Sequence, residues 1–289
     1  MKSSAIVFLA AFIALSASWA GFVLAPQLQL GRAPLVKVAA SDSLYPVARP
    51  GLAKQGAEVY RSLGCVHCHS QQVGQEGLTC EVILTDAGTN AATTLAALAR
   101  LGSGIATADA LTGLPKTMMQ VADMNAADPI LKAVTSAGAK AEVHAAAFGP
   151  DISRGWGRRR TVAQDYVYDL PVQLGSRRSG PDLANTGTRL PNGSWHLRHL
   201  YAPQAEIKGS TMPPYRFLFE KRKVGRETSP DALKLPAEFS PLAGYEIIPT
   251  DEALALAAYL VSLRSDAPLF EAPFTAPAPP APATNSPAK

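Results

Sequence analysis

Residues 65–69 read Cys-Val-His-Cys-His, and no other stretch limits the possible folds of this chain as tightly. Three chemistries use such a group of side chains. A c-type haem is attached by Cys-x-x-Cys-His. Cys65 and Cys68 would form thioethers to the two vinyl groups on one porphyrin edge, and His69 would then reach the iron from the proximal side. A structural zinc ion needs four ligands around a tetrahedron. Cys65, Cys68, His67 and His69 cannot all turn onto one ion within so short a stretch, so His196 and His199 would have to be recruited. A thioredoxin-like dithiol opens a helix after a strand, whereas this motif follows a segment with helical character. The motif favours haem and leaves zinc and dithiol as alternatives.

Composition narrows the surroundings. At 289 residues there is room for one or two domains. A hydrophobic content of 47% with 17% charged residues suits a globular protein carrying a membrane segment. The net charge of +4 comes without a long Lys/Arg array or a nucleic-acid motif, so no nucleic-acid partner is expected. Three cysteines are too few for a disulfide framework, and two of them sit in one motif. The third, Cys80, reads as a small buried hydrophobe. Residues 4–25 are apolar and carry no charge. That length spans a bilayer core, which needs about 20 such residues. Ser18-Trp19-Ala20 would also pass as a signal-peptidase site, but the run continues past it, which favours a retained anchor.

Local patterns divide the remainder. Residues 26–50, rich in Pro and small side chains, read as an extended stalk. "GLAKQGAEVYRSLG" (51–64) reads as a helix closed by Gly64. "DEALALAAYLVSLR" (251–264) reads as another, with Thr250 as N-cap and Asp251 and Glu252 favouring its N-terminal dipole. Leu254, Ala258 and Val261 fall on one face of it, with Leu256, Tyr259 and Leu260 beside them. The two helices are expected to cross with Gly56 and Tyr60 near Tyr259. "WHLRHLY" reads as a helix in which His196 and His199 are supported by Trp195 and Tyr201. The basic stretch "RGWGRRR" (154–160) suits a pairing with propionates or a partner, and equally a solvated loop. Residues 267–289, rich in Pro and Ala, cannot build a core and are expected to be disordered.

"SGPDLANTG" (179–187) resembles the loop of class I cytochromes c whose proline carbonyl accepts a bond from the proximal imidazole. The resemblance implies that Pro181 holds His69. "STMPPY" (210–215) resembles the distal loop of the same family, which implies that Met212 is the sixth iron ligand. More specifically, "GAEVYRSLGCVHCHSQQV", "RRRTVAQDYVYDLPVQLGSRRSGPDLANTGTR", "WHLRHLYAPQ" and "STMPPYRFLFE" together resemble subunit II of cbb3-type cytochrome c oxidases, the membrane-anchored mono-haem cytochrome subunit. That resemblance implies one covalent haem c and an electron-carrying role in respiration. It implies docking on a haem–copper catalytic subunit beside a di-haem cytochrome subunit. The expected address is the inner membrane of a bacterium, single-pass, with the cytochrome domain in the periplasm. The cytochrome subunit of a nitric oxide reductase and a haem-based sensor are the alternatives. No acid–base constellation is present, so no catalysis is expected of this chain alone.

In that family little separates the haem motif from the Arg-rich region, whereas here a long stretch intervenes. It reads as strand 80–86, helix 91–102, short helix 107–114, strand 116–122, helix 125–138 and strand 139–145. The "EVILTDAG" turn, the "LPK" step and "SAGAKAEV" resemble the C-terminal domain of the ribosomal stalk protein. The lysines that meet translation factors in that family are absent from "SGIATADAL", so a docking or packing role is expected. The expected fold is therefore an N-terminal transmembrane helix plus a mainly α class I cytochrome c domain, interrupted by a small α/β inserted domain of order β-α-α-β-α-β. The expected organisation is anchor 1–25, stalk 26–50, cytochrome c domain 51–77 and 147–266, insert 78–146 and tail 267–289.

Overall fold

The computed structural model describes residues 2–30, 35–38, 44–105 and 107–268. The expected disordered tail thus lies outside the described residues from Leu269 onward.

The N-terminal run is helical from Lys2 to Trp19, passes through a π-helical turn at Ala20–Leu24 and continues from Ala25 to Leu30. Ser4–Gln29 is long and apolar enough to cross a membrane, with a mean hydropathy of 2.2. A helix is the form such a segment takes because lipid offers the backbone no hydrogen-bond partners. The wide turn lies directly before Pro26. Proline lacks an N–H, and its ring clashes with the carbonyl four residues back in a regular helix. The helix resumes at Ala25 and runs to Leu30, past the apolar run 4–25. Farther on, Val36–Lys37 pairs antiparallel with Leu44–Tyr45 inside the stretch read as a stalk.

The described residues form two compact units. The first comprises the chain up to Gln75 together with Gly149–Pro268, and the second comprises Glu76–Phe148.

In the first unit the helices Leu52–Ser62 and Asp251–Ser262 pack against each other. Thr250 caps the second, its hydroxyl accepting from the Ala253 N–H at 3.3 Å. Their crossing depends on Gly56, where a Cβ would stand 1.9 Å from the Ala255 carbonyl oxygen. Tyr60 and Tyr259 meet at 5.3 Å between ring centroids. The buried side of the terminal helix carries Leu256, Tyr259 and Leu260, while Leu254 is 40% exposed. Around this pair Leu200, Leu218, Phe219 and Ile247 complete one apolar cluster. Phe219 and Ile247 come from an antiparallel hairpin, Phe219–Lys223 with Tyr245–Pro249, that local patterns do not announce.

The second unit is a three-stranded antiparallel sheet with Gly77–Asp86 in the middle, flanked by Lys116–Val121 and Lys140–Phe148. Cys80, Val82 and Leu84 alternate into the interior, as a strand half-covered by helices requires. Val82 and Leu84 meet Leu98 of helix Ala91–Arg100, and Ile130 and Val134 of helix Met124–Ser136. Each such side chain contributes roughly 1.5–3 kcal/mol on burial. Asn90 and Asp123 cap these helices through the Thr93 and Ala126 N–H groups. The central strand begins at Gly77 rather than Cys80 because Gly77 pairs with Phe148 and leaves space for its ring. The short helix expected at 107–114 is a 3-10 turn, Ala108–Leu111.

Candidate haem site

Helix Leu52–Ser62 ends at Gly64, whose left-handed conformation (φ 69°) turns the chain into a 3-10 turn at Cys65–His67. The His69 N–H donates to the Cys65 carbonyl at 3.0 Å, closing the motif on itself. Neither motif cysteine is in a disulfide; Cys65 is half-buried and Cys68 is exposed. Burial pushes the Cys65 thiol up to about 11. A redox dithiol needs the opposite shift to supply a thiolate, so the environment argues against that alternative.

The zinc alternative loses its recruits. His196 is buried and its Nε2 donates to the Leu190 carbonyl at 2.8 Å. His199 stacks on Trp195 with ring centroids 4.8 Å apart. Among the described residues no three His, Cys, Asp or Glu side chains converge as a metal group would require.

His69 is fixed by the loop around residue 181. Its Nδ1 donates to the Pro181 carbonyl at 2.8 Å, across 112 positions of sequence. With the proton fixed on Nδ1, Nε2 keeps its lone pair for a metal. Burial also lowers the pKa of His69, which favours the neutral ring. Gly180 lies flat against that ring, where a Cβ would stand 2.2 Å from Cε1. Gly175 (φ +73°) packs as closely on the His69 carbonyl, and a Cβ there would be 2.2 Å from the oxygen.

Met212 is half-buried and packs on the same apolar cluster as Cys65, Val66, Leu183 and Leu197. Its loop is fixed by a Met212 N–H bond to Ser210 Oγ (3.3 Å) and a Tyr215 N–H bond to the Leu200 carbonyl (2.8 Å). Burial raises the Tyr215 pKa, and Cys65 and Cys68 add to the shift. Tyr215, at the end of the loop 210–215, therefore lies within electrostatic reach of the cysteine pair. Two thiols outside any disulfide, an imidazole whose Nδ1 is already bonded and a thioether packed on the same apolar cluster as Cys65 form a donor set that fits a c-type haem.

Residues 147–241 match the family model described as cytochrome C oxidase, mono-heme subunit/FixO. This span contains Pro181 and Met212, while the Cys65–His69 motif lies outside it. Curated proteins gave no match.

Several residues of this unit escape sequence reasoning. Arg159, which reads as part of a cationic loop, is 2% exposed and makes a bidentate pair with Asp165 at 2.8 Å for each bond. Arg178 pairs with Asp151 in the same manner, at 3.0 and 2.8 Å, and lies over Trp156. Nothing in the spacing of these residues marks them as partners.

His199 gives the unit a pH dependence. Burial pushes it down to about 4, with His196 and His69 adding to the shift and Glu206 opposing it. The folded ring stays neutral where the unfolded ring, near 6.5, already binds a proton. The unfolded state then holds more protons, so stability rises with pH. The contribution is full above about pH 6.5 and is lost as pH falls toward about 4, at roughly 1.4 kcal/mol per pH unit. The denaturant midpoint should fall over that window, and His199→Gln should flatten the fall.

Proposed function

We propose that the chain is a membrane-anchored, mono-haem c-type cytochrome that passes electrons to the catalytic subunit of a cbb3-like haem–copper oxidase. In this reading Cys65 and Cys68 carry the single haem, His69 is the proximal ligand and Met212 the distal one. The observation that carries it is the His69–Pro181 hydrogen bond, which joins the motif to a loop far away in sequence. The similarity of residues 147–241 to the mono-haem oxidase subunit supports the electron-transfer role.

When bound, the haem supplies one-electron exchange between ferric and ferrous iron. The chain's residues set the conditions. Pro181 would hold the imidazole in one tautomer and leave Nε2 to bind a metal. A thioether at Met212 favours ferrous iron and so raises the potential. Tyr60, Leu200, Leu256 and Tyr259 keep water out of the cluster behind Cys65 and Met212, which disfavours the extra charge of the ferric state. The apolar helix Ser4–Gln29 serves as a single-pass anchor in the inner membrane, with the cytochrome unit on the periplasmic side. The partners are the catalytic subunit and a di-haem cytochrome subunit. The unit Glu76–Phe148, whose sequence resembles the stalk-protein domain, serves as a docking or packing element.

Met212→Ala tests the ligand assignment. The ferric protein should lose its weak near-infrared sulfur-to-iron band, and the midpoint potential should drop. Persistence of the band would assign the ligand to another methionine. Met118 is a poor substitute, being 3% exposed in the core of the second unit, with Met119 packed against that core.

A further inference from the structure

Asp182 is 0% exposed. A buried carboxylate is costly unless its oxygens are hydrogen-bonded, and these are. Oδ1 accepts from the Ala184 N–H at 2.8 Å. Oδ2 accepts from the Ser70 hydroxyl and from the Gln72 N–H, the latter at 3.0 Å. Arg178 stands 3.6 Å from Oδ2. The Asp182 backbone carbonyl accepts from Arg189 at 2.6 Å.

The position of these bonds is what matters. Ser70 directly follows His69, and Asp182 directly follows Pro181. The carboxylate therefore ties together the residues just beyond both ends of the His69–Pro181 bond. Two backbone bonds run alongside, from the Gly180 N–H to the Cys68 carbonyl (2.9 Å) and from the Leu183 N–H to the Ser70 carbonyl (2.8 Å). Arg178 secures the outer side. Its Nε donates to Ser70 Oγ at 2.9 Å and its Nη2 to the Gln72 carbonyl at 2.6 Å, while Asp151 grips its other face.

We infer that Asp182 is a positioning residue for His69: through Ser70 and the flanking backbone it fixes the Pro181 carbonyl against Nδ1, and thereby sets how strongly the imidazole donates to iron. The inference rests on the reading of His69 as an iron ligand. A well-held Nδ1–H bond makes the ring a better donor, which favours ferric iron. Loosening the clamp weakens that donation, so the potential should rise. Loss of the buried negative charge acts in the same direction.

The test uses the full haem-bearing chain. Asp182→Asn keeps the size of the side chain but turns one acceptor into a donor facing Ser70 and Gln72. Haem staining should be unchanged. The ferrous-to-ferric ratio at fixed potential should rise about tenfold, which is about 59 mV for one electron. The ferric electron paramagnetic resonance signal should broaden as the ring loses its single orientation. Ser70→Ala should move both readouts the same way by less, and Ser70→Thr, which retains a hydroxyl, should restore them. This second pair carries the test if Asp182→Asn does not fold. Wild-type potential and spectrum in folded Asp182→Asn would overturn the inference. So would a shift in Asp182→Asn with none in Ser70→Ala, because lost charge alone would then explain it. A wild-type chain without haem overturns the underlying reading, and the stain reports that separately.

Discussion

Gly180→Ala should abolish ligation by His69. The added Cβ would stand 2.2 Å from Cε1, 2.7 Å from Nδ1 and 2.9 Å from Nε2 of the ring. The ring is tethered on two sides. Its Nδ1 is bonded to the Pro181 carbonyl, and its own carbonyl is backed by Gly175. Moving Gly180 instead breaks its N–H bond to Cys68. Overpacking of a fixed site costs about 1–3 kcal/mol or more, and here the displaced group is the proposed metal ligand. The expected result is a several-fold drop in haem per chain, with the remainder lacking a six-coordinate low-spin spectrum. Haem content with a normal spectrum in Gly180→Ala would show that the loop 179–187 moves freely relative to the motif.

Gly56→Ala sets two effects of opposite sign against each other. Alanine is favoured over glycine in a helix interior by roughly 1 kcal/mol. Against that, the new methyl would stand 1.9 Å from the Ala255 carbonyl oxygen and 2.7 Å from Tyr259 Cβ. Both contacts are with the body of the opposing helix and not with the end of a flexible side chain. The helices would have to separate, opening the Tyr60–Tyr259 contact and the cluster behind the site. The clash should win, with a net loss of about 2 kcal/mol, an overpacking cost of about 3 less the helix gain of about 1, read as a lower denaturant midpoint. Gly193→Ala is the control. It adds a methyl to open space at the start of helix Gly193–Tyr201 and should be neutral or slightly stabilising.

These two glycines mark what could and could not be seen in advance. The approach of Gly56 and Tyr60 to Tyr259 was legible because both helices carry clear ends and clear periodicity. The strand at 80–86 and the element order of the second unit were legible from similar local patterns. The contact of Gly180 with His69 was not, because it joins residues with no local relation and depends on a missing side chain. The hairpin Phe219–Lys223 with Tyr245–Pro249 escaped because its first strand, "FEKRK", exposes four polar residues and buries only Phe219. The pairs Arg159–Asp165 and Arg178–Asp151 escaped because arginine in a Gly-rich basic loop has the composition of a solvated surface. Burial of such residues is decided by partners that only the fold brings near. Pro181 was expected through resemblance alone, and the fold brings its carbonyl within 2.8 Å of His69 Nδ1.

Haem staining of the full-length chain on a denaturing gel tests attachment at Cys65 and Cys68 most directly, because only covalent haem survives denaturation. Wild-type protein, produced in cells able to attach haem c, should stain at its own mass. Cys65→Ser and Cys68→Ser should each lose most of the stain, and the double variant should lose all of it. A double variant that stains like wild type, or a wild-type chain that never stains, would contradict the assignment of Cys65 and Cys68 as the haem-bearing residues.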